Sequence, residues 1–337
     1  MNLIQASAAL NAYMAANVPT FLWGAPGIGK SDLTRDVAKA NDMPLIDVRA
    51  ILLDPVDLRG LPTVTDGRAT WAQPDFLPRA DRDGPKGILL LDELNAAPAS
   101  VQAALFQLIL DRKLGEYTLP PDWRIVAAGN RQSDRAAAQR MPSALANRFA
   151  HIDVDADVTA WGKWAAANNI APMVLAFIRF RPALLHAMEG SDLRAFPTPR
   201  AWATVARLPQ VQTVGTADRD ADAFRLALVG GVVGEAAAAE LEGFIRVWRS
   251  LPTIADIIAD PDGVTVPNDP ATLYAVSTAL ARKADRKTFE PILRFARRAM
   301  GQEFGILLCV DAITRDPDLK TTRAFVEWAS DNQDVTL

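Results

Sequence analysis

Cysteine is nearly missing from this chain: Cys309 stands alone in 337 residues. One thiol can close no disulfide within the chain and build no thiolate metal cluster, so a disulfide scaffold is excluded and a reducing cytoplasm is the expected setting. Histidine is almost as scarce. His151 and His186 lie far apart in sequence and are expected in structural roles rather than as metal ligands. No uninterrupted apolar run approaches the roughly 18–20 residues of a membrane span, and the opening MNLIQASAALNAYMAANVPT lacks the basic and continuous apolar regions of a signal peptide. A surplus of positive charge is missing too: 36 Lys and Arg face 40 Asp and Glu, a net charge of -4. That is the wrong balance for a protein that coats nucleic acid. The expectation is a cytoplasmic protein without a membrane span, for which nucleic acid is an unexpected partner.

Half of the residues are hydrophobic and 23% are charged, which supports a buried core and about two domains. Apolar side chains at Leu3, Ala6, Leu10 and Met14 predict an amphipathic helix. PTFLWG reads as a short buried strand, 31–41 as a helix and PLIDVRA (44–50) as a strand. Between 60 and 72, Asp66-Gly67 joins two short runs rich in Val, Thr and Trp, which predicts an inserted hairpin with a type I′ turn. GILLLDEL (87–94) is a continuous apolar run, as a strand buried on both faces would be. A helix over 99–113, a strand WRIVAAGN (123–130), a helix near 142–148 and a strand HIDV (151–154) complete the alternation of a parallel sheet. Beyond 157 the pattern is helical: 158–168, 171–187, 199–207, 220–249, 270–284, 287–299 and 319–331. The expected domains are an α/β domain over 1–157, an α-helical domain over 158–250 and a helical extension over 251–337.

Gly24-Ala25-Pro26-Gly27-Ile28-Gly29-Lys30-Ser31 fits GxxxxGK(S/T) between a strand and a helix. Glycines in such a loop let backbone N–H groups turn inward around phosphate oxygens, and the helix that follows adds its free amides and positive dipole end. Lys30 would reach the β and γ phosphates, the Ser31 hydroxyl would bind Mg²⁺, and the cradle is taken to run through Asp32. Asp92 and Glu93 end the apolar strand, where a parallel sheet places its ligands. Asp92 would hold Mg²⁺ and Glu93 would activate a water for attack on the γ phosphate. Asn130 ends the next strand and is either a turn former or a partner of that water. Arg148, with Arg131, Arg135 and Arg140 as competitors, is a candidate to stabilise transferring charge in a neighbouring subunit. Thr198 and Pro199 read as an N-cap and first helical position, which puts Arg200 in a first turn, where the dipole disfavours a cation unless an anion lies near.

Taken in order, GAPGIGKS, LLLDELNAAP, IVAAGN, ALANRF and PTPRAW resemble the AAA+ ATPases, and within them the MoxR-like lineage, over about residues 3–250. By that resemblance the fold is an α/β P-loop NTPase sheet with helices on both faces (the AAA+ core), followed by an α-helical lid and a helical C-terminal extension. Lys30 and Ser31 belong to Walker A, Asp92 and Glu93 to Walker B, Asn130 is sensor 1, Arg148 the arginine finger and Arg200 sensor 2. The hairpin near 60–72 stands where that clade carries its helix-2 insert. Many relatives follow the acids with Asn and Arg, whereas here Asn95 is followed by Ala96. The resemblance implies ATP and Mg²⁺ as cofactors, a homo-oligomeric ring, commonly a hexamer, and chaperone-like remodelling of a protein client with a von Willebrand factor A domain partner. No DxSxS run occurs here, so that partner would be another protein.

Two other classes are kept open. A nucleic-acid motor or loader would use the arginines of FIRFR (177–181), FIRVWR (244–249) and ILRFARR (292–298) as a stripe, although amphipathic helices with solvated arginines have the same pattern. A P-loop small-molecule kinase shares the phosphate loop, but Glu93 directly after Asp92 favours water as the nucleophile. No NKxD-type base-reading motif is present, which favours ATP over GTP.

Overall fold

The computed structural model describes residues 1–65, 68–134, 141–188 and 194–332. They form two compact units, Met1–Ala156 and Asp157–Leu337. The first contains α1 (Leu3–Ala15), β1 (Thr20–Trp23), α2 (Lys30–Ala40), β2 (Leu45–Arg49), α3 (Pro55–Arg59), β3 (Leu61–Thr65), β4 (Arg68–Ala72), α4 (Ala80–Asp83), β5 (Lys86–Asp92), α5 (Ala99–Asp111), the two-residue strands β6 (Lys113–Leu114) and β7 (Tyr117–Thr118), β8 (Asp122–Gly129), α6 (Ser143–Ala146) and β9 (Ala150–Asp153). Five of the strands make one sheet in the order β2-β5-β8-β1-β9, and every pairing in it is parallel.

Alternation along these strands feeds two cores. Leu22, Ile88, Leu90, Val126 and Ile152 pack on one face with Ala6 and Leu10 of α1 and Leu33 and Val37 of α2. Phe21, Leu89, Leu91, Ile125 and Ala127 face the other way, onto Val101, Leu105 and Leu108 of α5. The unbroken run Ile88–Leu91 is fully buried because β5 is covered on both faces. The parallel sheet between helices, followed by a helical region, is the expected fold class. In the inserted hairpin Thr65 stands opposite Arg68, the register of a two-residue connection. The Asp66-Gly67 turn lies outside the described residues.

The second unit is helical: α7 (Val158–Ala167), α8 (Pro172–Phe180), α9 (Pro199–Val205), α10 (Pro209–Gln212), α11 (Arg219–Val233), α12 (Glu235–Arg249), α13 (Ile254–Ala259), α14 (Pro270–Lys283), α15 (Phe289–Ala299), α16 (Gln302–Arg315) and α17 (Arg323–Asp331). The segments expected as lid and extension pack together here. α14, buried along most of its length, lies against both α8 and α16. Arg179 of α8 crosses to Asp311 of α16 with two hydrogen bonds of 2.5 and 2.7 Å.

Two expectations about helices need correction. The single helix over 220–249 is two, because Gly234 turns the chain at φ +87° and a Cβ there would lie 2.9 Å from the Ala195 carbonyl oxygen. The helix over 171–187 stops at Phe180, since Pro182 bars continuation and opens a 3-10 turn, Pro182–Leu185. The short α13 and the full-length α16 were not anticipated. α16 begins at an uncapped Gly301, which offers none of the polar start signals of a helix.

Candidate active site

The carboxyl ends of β1, β5 and β8 meet on adjacent strands, because β8 lies between the other two. Beyond β1 the loop passes through Gly27 (φ +76°) and Gly29 (φ +100°), left-handed conformations that residues with a Cβ rarely adopt. Gly29 opens α2, and no side chain caps that helix. Its N-terminal amides and dipole therefore face the loop, as an anion site requires.

Lys30 leaves the first turn of α2 and folds back into the loop, only 8% exposed. Its Nζ donates to the carbonyl oxygens of Gly24 (2.6 Å) and Ala25 (3.1 Å) and to Oδ1 of Asn130 (3.0 Å). Next to it, Ser31 Oγ donates to Asp92 Oδ2 at 2.7 Å. The other Asp92 oxygen accepts from the backbone N–H of Glu93 at 2.9 Å, and Glu93 itself adopts the left-handed region at φ +57°, ψ +32°. The site thus holds a nearly buried ammonium group beside a hydroxyl and carboxylate pair. A hydroxyl and a carboxylate oxygen in contact are two hard ligands of the kind Mg²⁺ takes, so the donor set fits that ion. On β2, burial and then the Asp92 carboxylate both raise the pKa of Asp47, as a cluster of negative charge at these strand ends would.

Lys30, Ser31, Asp92 and Asn130 are joined by direct contacts, and Glu93 is held to them through its backbone. Ile28 turns its side chain into the core, 3% exposed, so only its backbone is available to a ligand. Asp32 is on the outer side of α2, paired with Arg35 at 2.5 Å. Arg148 is exposed in the turn after α6. Arg131 is occupied within its own unit by Asp153 and Asp155, both at 2.9 Å. Its hydrogen bond holds the Asp155 carboxyl below the usual range. Arg135 and Arg140 lie outside the described residues. Arg200 belongs to the second unit, exposed in the first turn of α9, which Thr198 caps by accepting from the Ala201 N–H at 3.0 Å. His151 accepts from Trp23 Nε1 at 2.8 Å and has its Nε2 2.8 Å from the Ala146 carbonyl oxygen. Both of its nitrogens therefore have structural partners. Among the described residues no group of three or more His, Cys, Asp or Glu is arranged to hold a metal, and no helix is long and apolar enough to cross a membrane.

One member of the site escaped the sequence reading. Asn95, 1% exposed, donates its Nδ2 to the Asn130 carbonyl oxygen at 2.7 Å. A Cβ at Gly129 would come within 2.1 Å of the Asn95 Oδ1, so β8 ends in glycine to admit this amide. The signal available in sequence was a polar side chain just past the two acids, in DELNAAP.

Residues 19–149 match the family model described as the AAA domain of the dynein-related subfamily. Among curated proteins, the chain is 29% identical over 171 residues to a midasin of Giardia intestinalis, covering 48% of this chain and 4% of that protein. It is 30% identical over 144 residues to a midasin of Dictyostelium discoideum, covering 39% of this chain and 2% of that protein. The chain thus spans only a few per cent of the length of these relatives. Among solved structures, NtrX from Brucella abortus in complex with ADP aligns at 15% identity and a TM-score of 0.42, over 95% of this chain and 67% of that one. The Thermotoga maritima RuvB Holliday junction branch migration motor aligns at 15% identity and a TM-score of 0.34, over 99% and 94%. The segment that supplies Lys30, Ser31, Asp92, Glu93, Asn130 and Arg148 is therefore similar to the AAA domain of the dynein-related subfamily.

Proposed function

We propose that the chain is a Mg²⁺-dependent ATPase, of the MoxR-like kind, that works as a ring of like subunits in the cytoplasm and remodels a protein client. The observation that carries the hydrolase reading is the pair of contacts across three strand ends, Ser31 Oγ to Asp92 Oδ2 at 2.7 Å and Lys30 Nζ to Asn130 Oδ1 at 3.0 Å. Ser31 and Asp92 would hold Mg²⁺, which when bound neutralises charge on the phosphate oxygens. Lys30 keeps a positive charge inside the loop and can exchange carbonyl oxygens for phosphate oxygens. Glu93, fixed by its backbone beside Asp92, takes the proton of the attacking water. Asn130 orients that water or the terminal phosphate. Arg148, exposed at a turn, supplies positive charge to a neighbour's site, and Arg200 is assigned as sensor 2.

Steady-state hydrolysis tests this reading. Glu93→Gln should still bind ATP while turnover falls by about 10²–10⁴, and Lys30→Ala should lose nucleotide binding. Turnover of Glu93→Gln at the wild-type rate would overturn it. A pull-down with Glu93→Gln in ATP should retain a client, or a von Willebrand factor A domain protein, that ADP releases; recovery of the chain alone would remove the remodelling step. The motor reading is weakened by what the arginines touch. Arg179 pairs with Asp311, Arg181 with Glu240, Arg249 with Asp222, Arg294 with Asp262 and Arg297 with Asp331. With five of the seven arginines in those segments paired to carboxylates, little of a stripe is left for phosphates, and the expected binding to DNA at moderate salt is weak.

A further inference from the structure

We propose that Asn95 is a positioning residue for hydrolysis, one that fixes Asn130 and ties it to the carboxylates of Asp92 and Glu93. The inference rests on the hydrolase reading above and adds a residue to it. Asn95 is too deeply buried to touch a substrate, at 1% exposure, so any role it has must pass through a neighbour. Its Nδ2 donates to the carbonyl oxygen of Asn130, and Asn130 is the residue whose side chain reaches Lys30. The amide cannot be turned over without setting its oxygen against that carbonyl oxygen.

The contacts close a circuit. Lys30 meets Asn130, the Asn130 backbone meets Asn95, Asn95 lies three residues along the chain from Asp92, and Asp92 meets Ser31, which is bonded to Lys30. Breaking the Asn95 link removes the tie that lies beyond the β5–β8 ladder, whose last pair is Leu91 and Ala127. The other half of the amide carries the second observation: Asn95 Oδ1 is buried with no hydrogen-bond partner among the described residues. A polar side chain with one half unsatisfied is a poor choice for packing alone, and an apolar residue of that size would fill the space. What such a residue would lack is the donor to Asn130.

Asn95→Leu keeps the branched shape, with a somewhat larger side chain, and removes the donor. If Asn95 acts through Asn130, kcat should fall by about 10- to 100-fold, as loss of an orienting partner does elsewhere, while ATP affinity and the thermal midpoint stay close to wild type. Asn95→Leu added to Asn130→Ala should cost little further, because the residue it positions is already gone. In crystals of Asn95→Leu, the Lys30–Asn130 contact should be lost. Wild-type kcat in Asn95→Leu, or full additivity with Asn130→Ala, would overturn the proposal. If Asn95→Leu does not fold, Asn95→Ala and Asn95→Ser are read by the same cycle. If the wild-type chain hydrolyses no ATP, the hydrolase reading fails and the hydrolytic role of Asn95 fails with it; the crystal contact then decides only whether Asn95 fixes Asn130, an intact Lys30–Asn130 pair in Asn95→Leu overturning that and a broken one supporting it.

Discussion

Glu93 is held at φ +57°, where a residue with a Cβ carries about 1–2 kcal/mol of strain. Strain of this kind concentrates at functional sites, where the surrounding structure overrides local preference. Comparing Glu93→Ala with Glu93→Gly separates the two roles of the position. Both should abolish turnover, but the glycine variant should be the more stable by about 0.5–1 kcal/mol once the extra freedom of unfolded glycine is subtracted; equal unfolding midpoints would show that the backbone is unstrained. Cys309 gives a second test at this scale. It is fully buried, and burial pushes its thiol up from 9.0 to about 12. A thiol pKa raised in the folded state means stability that is complete below the unfolded thiol's pKa and declines as pH rises from there through the folded one. At pH 8 a disulfide reagent should therefore label Cys309 at the rate of unfolding; prompt labelling of the native protein would contradict the burial.

At the scale of elements, α11 and α12 form a hairpin closed by charge. Arg225, 4% exposed, pairs with Glu242 and with Asp222, and Asp222 also accepts from Arg249. Hydrogen bonds from Arg249 and then Arg225 hold the Asp222 carboxyl well below the usual range, although burial opposes them. A depressed carboxylate contributes stability that is complete above its unfolded value and is lost as pH falls through the folded one. Asp222→Asn should thus unfold less steeply than wild type below about pH 4, measured by ellipticity. Arg225→Met, which leaves two acids without their shared partner, should cost about 3–5 kcal/mol in a denaturant titration. Much of the first unit was legible in sequence because a doubly covered strand such as Ile88–Leu91 shows as a continuous apolar run, and the acids Asp92 and Glu93 follow directly. The hairpin of α11 and α12 was not, since Gly234 is one glycine among several in GGVVGE and only the nearby Ala195 carbonyl makes it obligatory. Asn95 was equally hidden: its partner is 35 residues away, just beyond β8, and no local pattern records that distance. The engagement of Arg131 by Asp153 and Asp155 was hidden for the same reason.

For the molecule as a whole, the ring reading makes a prediction about mixtures. Arg148 is exposed, so Arg148→Ala should leave each subunit folded and able to bind ATP while depriving its neighbour. Mixing it into wild type should lower ATPase activity more steeply than dilution alone, and a strictly linear decline would argue for sites complete within one subunit. The crossing of Arg179 to Asp311 has a further consequence, for where the chain can be cut. These partners are 132 residues apart in sequence, and they straddle position 250, the boundary expected between the two helical segments. A fragment ending there would leave a guanidinium without its carboxylate and strip α14 from the apolar side of α8. The fragment 157–250 should therefore aggregate when expressed, whereas 157–332 should be recovered soluble and unfold cooperatively. The usable seam for dissecting this protein falls at Ala156, because the last third of the chain packs in one compact unit with the middle.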